Sequence, residues 1–451
     1  MLTVKLLQRL KFDEKTHLGR LVDRYLENDA LDLDANMFRH FEVARRKPEA
    51  FLNHPQSLGI SIGGSNTKVM LGEMKDGKLR IDEFLSVKNP EAPTELYAFL
   101  DDILKKNRNF WRYLTSGKPV TVGVSLPTLI VNGAPFHRTK VPTILKMTAR
   151  TERELVPELN FKRNFQVYAD ASGINLKTLY YNMDAIIAHY GGVSLLDIRP
   201  EDRSLLLVCG TGLAAADDNF DRLIGMVRIL DTDGELYPPE LTEDGQDQYA
   251  IAGKGLYGVM KRAVKIKAAE SGSRLSGYDL DPFFASPRDT KTVYDIWENY
   301  ALGEPRSDKA GLLYQYAGEA AYGELGEIAT LLSERAYKSL ADCITACLVK
   351  IDRKHGAGRC HIITEGSIIN NRHIHSRVKA QMAGTFKDTG FFAGYGLKAP
   401  DIVWGQDKGV EIDIACENRE AAASQLDYTI IGAFTSAVAE DILKTGLSQH
   451  I

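Results

Sequence analysis

Two short stretches of this chain share one design. Gly59-Ile60-Ser61-Ile62-Gly63-Gly64-Ser65-Asn66-Thr67-Lys68 and Leu205-Leu206-Leu207-Val208-Cys209-Gly210-Thr211-Gly212-Leu213 each run an apolar strand into a glycine turn carrying a small hydroxyl. Glycine lets the backbone approach a ligand closely and reach positive φ. The free N–H groups of such a turn, with Ser65 or Thr211 beside them, can grip phosphate oxygens. Between the two lies Tyr168-Ala169-Asp170-Ala171-Ser172-Gly173, read as a carboxylate closing a short strand. Two phosphate grips flanking one candidate base point to phosphoryl transfer. Asp170 would take the proton of an attacking hydroxyl, a contribution of roughly a hundred- to ten-thousandfold.

Each residue has a plainer reading. Glycine pairs are mostly simple strand connections, although their recurrence at equivalent points of two halves argues against chance. Asp170 precedes the periodic run Ile174, Leu176, Leu179, Tyr180 and suits a helix N-cap, a role compatible with catalysis. Lys68 either reaches phosphate or lies exposed on its strand. Gly253-Lys254-Gly255-Leu256-Tyr257-Gly258 has dinucleotide-fingerprint spacing, but polar Gln246-Asp247-Gln248-Tyr249 precedes it where a buried strand is required, and we reject it. No Walker lysine motif occurs, which excludes a P-loop fold. Arg372-His373-Ile374-His375 lacks a neighbouring carboxylate cluster and reads as a solvated helix start rather than a zinc site; no metal ligand is singled out.

Composition narrows the classes. A chain of 451 residues exceeds one compact core, so two domains are expected. With 44% hydrophobic and 26% charged residues it is ordinary for a soluble protein, and a net charge of −4 gives no basic field for nucleic acid. No apolar run approaches a membrane span, and the first thirteen residues lack a signal-peptide core. Five cysteines without C-x-x-C spacing, Cys343 and Cys347 among them, read as buried reduced thiols, which fits the cytoplasm.

The elements that position these residues follow from periodicity. Residues 1–50 read as charged amphipathic helices, with Leu18, Leu21, Val22, Tyr25 and Leu26 on one face. Strands are expected at 57–62, 68–73 and 78–84, the last two joined by Asp76-Gly77 in a tight hairpin. A helix to Lys106, a buried strand at 120–125 and a hairpin around Asn132-Gly133 follow. The second half opens with a strand at Ser204 and a strand pair near 223–230. Helices come next at 256–269, 312–326 and 328–353, then strands at 361–364 and 411–415 and a closing helix at 429–443. No Pro-, Gly- or Ser-rich linker separates the halves.

In their order these motifs resemble the hexokinase family, within the sugar kinase, heat-shock chaperone and actin superfamily. Gly63-Gly64-Ser65-Asn66 is similar to the family's first phosphate loop and Gly210-Thr211-Gly212 to its second. Glu365-Gly366-Ser367-Ile368 resembles its adenosine motif, Ser125-Leu126-Pro127 its Ser-Phe-Pro, Arg138-Thr139-Lys140 its Trp-Thr-Lys, and Ala169-Asp170 its Asn-Asp. The matches run from about Leu58 to Val438. The resemblance implies a two-lobed α/β fold of the actin-like (ribonuclease H-like) ATPase type, with five-stranded mixed sheets and flanking helices. It places residues 57–169 and 428–451 in a small lobe, and 1–56 and 170–427 in a large one.

The same resemblance implies roles and departures. ATP and Mg2+ would be bound, phosphates by Gly63, Gly64, Ser65, Asn66, Lys68, Gly210, Thr211 and Gly212, adenosine near Gly366 and Ser367. Ser125, Thr139, Lys140, Asp170 and Asp231 would hold the sugar, with Lys140 also steadying the transferred charge beside the base Asp170. Against the family, Ser61 replaces an aspartate that helps hold the magnesium shell, and Ala169 and Ala214 replace asparagines that bind sugar hydroxyls. Two functions stay open on these residues. One is ATP-dependent phosphorylation of a hexose or related sugar at a primary hydroxyl. The other is a weak or inactive relative that binds sugar or nucleotide as a sensor or scaffold. A chaperone- or actin-like ATPase leaves Ser125-Leu126-Pro127 and Thr139-Lys140 without a role.

Overall fold

The computed structural model describes residues 18–19, 21–23, 26, 37–63, 66–90, 96–127, 130–131, 134–135, 160–196, 198–209, 213–217, 253–284, 291–356, 358–366, 368–405 and 411–446. Helix α1 (Met37–Arg46) leads into strands β1 (His54–Ile62), β2 (Asn66–Lys75) and β3 (Lys78–Lys88). Asp76 (φ 50°) and Gly77 (φ 74°) turn β2 into β3, the two left-handed residues that a tight hairpin demands. Helices α2 (Leu96–Lys106) and α3 (Arg108–Leu114) precede β4 (Val120–Leu126), and β5 (Ile130–Val131) and β6 (Ala134–Pro135) form a small hairpin. All seven residues of β4 are buried, as a central strand covered on both faces requires.

The next segment departs from expectation. Residues Phe161–Ala171 form a helix, α4, and the strand comes after it as β7 (Leu176–Met183), followed by helix α5 (Asp184–Leu195). Phe161, Phe165 and Ala169 form the buried stripe of α4 at helical spacing. Gly173 (φ 68°) stops it: Gly173 N–H bonds the Asp170 carbonyl (3.2 Å) and Ile174 N–H the Ala169 carbonyl (2.9 Å), a left-handed glycine cap.

The second part contains β8 (Arg203–Cys209), β9 (Leu213–Asp217), helices α6 (Gly253–Ala268), α7 (Lys291–Leu302) and α8 (Asp308–His355), then β10 (Arg359–Glu365), α9 (Arg372–Lys387), β11 (Asp401–Trp404), β12 (Ile412–Ile414) and α10 (Tyr428–Lys444). The two helices expected at 312–326 and 328–353 are divided elsewhere: the break is Gly318 (φ 73°, ψ 167°), within α8. The strand pair expected near 223–230 lies outside the described residues.

Two mixed sheets organise the chain. The first has the order β12-β3-β2-β1-β4-β7, with β1, β4 and β7 mutually parallel; the second, β11-β10-β8-β9, has β8, β10 and β11 parallel. The first thus has six strands rather than five. β7 and β12 belong to it although residues 170–427 were expected in the other lobe, because the chain returns twice to this sheet. Among the described residues the second sheet has four strands.

Helices α5 and α10 cross between the sheets, and their close approach depends on missing side chains. A Cβ on Gly432 would stand 1.8 Å from the Ile187 carbonyl oxygen, one on Gly191 2.1 Å from that of Tyr428, and one on Gly123 of β4 1.7 Å from that of Ala433. α5 is buried continuously from Ala185 to Ser194. No described helix is long and apolar enough to cross a membrane. All five cysteines are buried.

Candidate active site

The parallel strands of the first sheet place one polar rung at their C-terminal edge. In register, Lys68 of β2 pairs with Ser61 of β1, Ser61 with Ser125 of β4, and Ser125 with Asn182 of β7. Side chains in register share a face. Ser125 is fully buried and its Oγ has no hydrogen-bond partner among the described residues, an unusual state for a native hydroxyl. Open α/β sheets bind ligands beyond the carboxyl ends of their strands.

Immediately past this rung the chain supplies a carboxylate. Asp184 opens α5, half-buried, and its Oδ1 accepts the Ala185 N–H at 2.7 Å. Burial pushes its carboxyl up to about 6, the Ala185 hydrogen bond pulling the other way. Sequence reasoning passed over it. The signal was there: alternation through 176–183 ending at Asn182, then an aspartate at a helix start.

The first glycine turn is braced from within. Gly63 N–H bonds the Asn66 carbonyl (2.9 Å), while Asn89 Nδ2 holds the Gly63 carbonyl (2.7 Å) and is itself held through Oδ1 by Thr67 Oγ1 (2.7 Å). Glycine is needed at 63 for proximity, since a Cβ there would meet the Asn66 carbonyl at 2.9 Å. The second turn joins Cys209 to Leu213, which are antiparallel partners. Cys209 also accepts the N–H groups of Ile368 (3.1 Å) and Ile369 (3.3 Å), so the turn beginning at Gly366 (φ 106°) sits against the strand that leads into Gly210.

The start of α10 ties the two sheets together. Asp427 caps the helix through the Ile430 N–H (3.0 Å) and forms an ion pair with Lys68 of the first sheet. At the second residue of the helix, Thr429 Oγ1 donates to Glu365 Oε1 at the end of β10, in the second sheet. The other oxygen, Glu365 Oε2, is buried without a partner among the described residues. Burial, then the charge of Asp427, pushes the Glu365 carboxyl up to about 8, with the Thr429 bond and Lys68 opposing and Asp184 adding to the rise.

Not every expected residue arrives here. Asp170 closes no strand. It lies exposed in the last turn of α4 and accepts a hydrogen bond from Gln166 Nε2 (2.9 Å). The following residues lead into the start of β7, where Asn175 accepts the Val120 N–H. Asp170 is therefore at the N-terminal edge of the sheet. Eight residues of β7 at about 3.3 Å each separate that edge from Asp184, roughly 26 Å. The glycine cap at Gly173 is the cause: it ends a helix where a strand end was expected. Ala169, likewise, is core rather than a lost sugar contact.

Gly63, Asn66, Lys68, Ser125 and Gly366 are at the C-terminal edges of the two sheets or the turns that leave them. Gly64, Ser65, Thr139, Lys140, Gly210, Thr211, Gly212, Asp231 and Ser367 lie outside the described residues. At the opposite edge of the first sheet a cavity of about 790 Å³ is lined by His54, Gln56, Tyr113, Lys118, Lys177 and Asp441, among others. Its deepest acid, Asp441, is already engaged by Lys177 Nζ (2.8 Å) and Thr178 Oγ1 (2.6 Å).

No protein-family model and no curated protein sequence matches the chain. Among solved structures, a hexokinase from Schistosoma mansoni complexed with glucose is similar over 97% of this chain and 98% of its own, with a TM-score of 0.59 at 13% sequence identity. A second hexokinase crystal structure gives a TM-score of 0.57 at 12% identity, again over 97% and 98%. The likeness is one of fold: two mixed α/β lobes of the actin-like ATPase type, as in hexokinases.

Proposed function

We propose that this chain, built on the hexokinase fold, transfers the γ-phosphoryl group of ATP to a primary hydroxyl of a hexose or related sugar. The observation that carries the reading is Asp184. It stands where a parallel strand ends and a helix begins, beside the Lys68–Ser61–Ser125–Asn182 rung and across from Glu365 and the Gly366 turn. In this reading its carboxylate accepts the sugar hydroxyl proton as that oxygen bonds to phosphorus and the bond to the ADP oxygen breaks.

In this reading Ser125 Oγ and Asn182, at the C-terminal edge of the first sheet, are sugar contacts, joined by Thr139, Lys140 and Asp231 on the family resemblance. The triphosphate lies between the two glycine turns, held by Gly63, Gly64, Ser65, Asn66 and Lys68 from one side and Gly210, Thr211 and Gly212 from the other. Adenosine rests near Gly366 and Ser367. Mg2+ accompanies the phosphates and neutralises developing charge when bound. It usually keeps several waters and needs only one or two carboxylates, and the orphaned Glu365 Oε2 is a fitting donor. Asp170 has no part in this arrangement.

A second reading is favoured by one observation. Ser61 puts a neutral hydroxyl where a metal-shell carboxylate would be, and the neighbouring Lys68 is consumed by Asp427. On that reading the protein binds sugar or nucleotide without turning it over.

Coupled ATP consumption with a panel of hexoses, hexosamines and ketoses separates the two. Turnover on at least one sugar is the expected result; sugar or nucleotide binding with no turnover on any would select the sensor. In the kinase, Ser61→Asp is expected to raise the rate, and an unchanged rate would show that metal retention is not limiting.

A further inference from the structure

Three carboxylates surround the point where α10 meets both sheets, and two of them are committed. Asp427 caps the helix and pairs with Lys68, so its charge is already compensated. Asp184 takes the Ala185 N–H on one oxygen and is assigned to the hydroxyl proton. Glu365 has a buried oxygen in reserve: Oε1 is fixed by Thr429, while Oε2 has no hydrogen-bond partner among the described residues. Leaving a buried acceptor unsatisfied is destabilising, more so for a charged group. Such an atom is open to a partner such as a cation.

We propose that Glu365 provides, from the second sheet, the carboxylate that Ser61 fails to provide from the first, for the divalent cation of a bound nucleotide. The inference rests on the phosphoryl-transfer reading and deepens it. Three features favour it. Glu365 is the last residue of β10 and pairs in register with Val208, one residue before Cys209 and the second glycine turn. The turn after it is bonded to Cys209, which fixes the carboxylate beside the expected path of the phosphates. Finally, Asp427 and Asp184 both act to disfavour charge on Glu365, so a cation that pairs with it also relieves their mutual repulsion.

The competing role is a protonated, purely structural Glu365 bonded to Thr429. Calorimetric titration of the full chain with the non-hydrolysable analogue adenylyl imidodiphosphate, once with Mg2+ and once with EDTA, distinguishes them without any turnover. Mg2+ is expected to tighten binding at least about tenfold in the wild type. Glu365→Gln should keep its EDTA affinity within about twofold and lose the Mg2+ gain. Adding Ser61→Asp to that variant should restore it. If Glu365→Gln folds poorly, Glu365→Asp, which keeps the charge but shortens the reach, should show a reduced gain.

A full Mg2+ gain in Glu365→Gln would overturn the assignment while leaving the kinase reading intact. No Mg2+ gain in the wild type would overturn it too. Failure of the analogue to bind at all would remove the phosphoryl-transfer reading and this inference with it.

Discussion

Asp184→Asn is expected to lower turnover on any accepted sugar by roughly a hundred- to ten-thousandfold, the range for loss of a general base. Asparagine keeps the size of the side chain and its bond to the Ala185 N–H, so the helix start survives and sugar affinity should change little. The loss should fall on kcat rather than KM. The pH dependence carries the sign. Burial raises the Asp184 carboxyl to about 6, and only its deprotonated form can accept a proton. Wild-type turnover should therefore climb as pH passes upward through about 6 and then level, and the residual rate of Asp184→Asn should lack that limb. A variant with wild-type kcat would remove Asp184 from the reaction.

The second large effect is structural. Gly432→Val is expected to destabilise the protein by roughly 3 kcal/mol or more, at the upper end for overpacking, because the clash is with backbone rather than a movable side chain. A Cβ at 432 would stand 1.8 Å from the Ile187 carbonyl oxygen and 3.0 Å from the Gly191 nitrogen, so α5 and α10 would have to part. Those helices carry Asp184 at one N-terminus and Asp427 and Thr429 at the other. Separation should thus reduce stability in urea and lower the activity of whatever folded fraction remains. Wild-type stability in Gly432→Val would mean that the helices do not cross at this distance.

Much of the fold was legible because it rests on local signals. Strand-like texture and the Asp76-Gly77 turn marked the first three strands, and the apolar run Leu205–Val208 marked β8. The glycine turns were found because glycine next to a hydroxyl at a strand end has few other uses. The misreading that moved the candidate site was confined to 161–195. Phe161, Phe165 and Ala169 have helical spacing, but a short strand was read into Tyr168–Asp170, and the run Ile174–Tyr180, which leads into β7, was read as a helix capped by Asp170. It put the candidate base at Asp170, fourteen positions before the Asp184 that we propose. The neighbours of Glu365 were out of reach for another reason. Lys68, Asp184 and Asp427 are distant in sequence, and only the folding of α10 against both sheets brings them to one place.

The two edges of the first sheet make opposite demands on Asp170 and Asp184. The most direct measurement compares turnover of Asp170→Asn and Asp184→Asn at saturating ATP and sugar. Asp170→Asn should stay within about twofold of wild type, as an exposed helix position allows, while Asp184→Asn falls by roughly a hundredfold or more. Loss of turnover in Asp170→Asn with Asp184→Asn unaffected would place the reaction at the opposite edge and contradict the account.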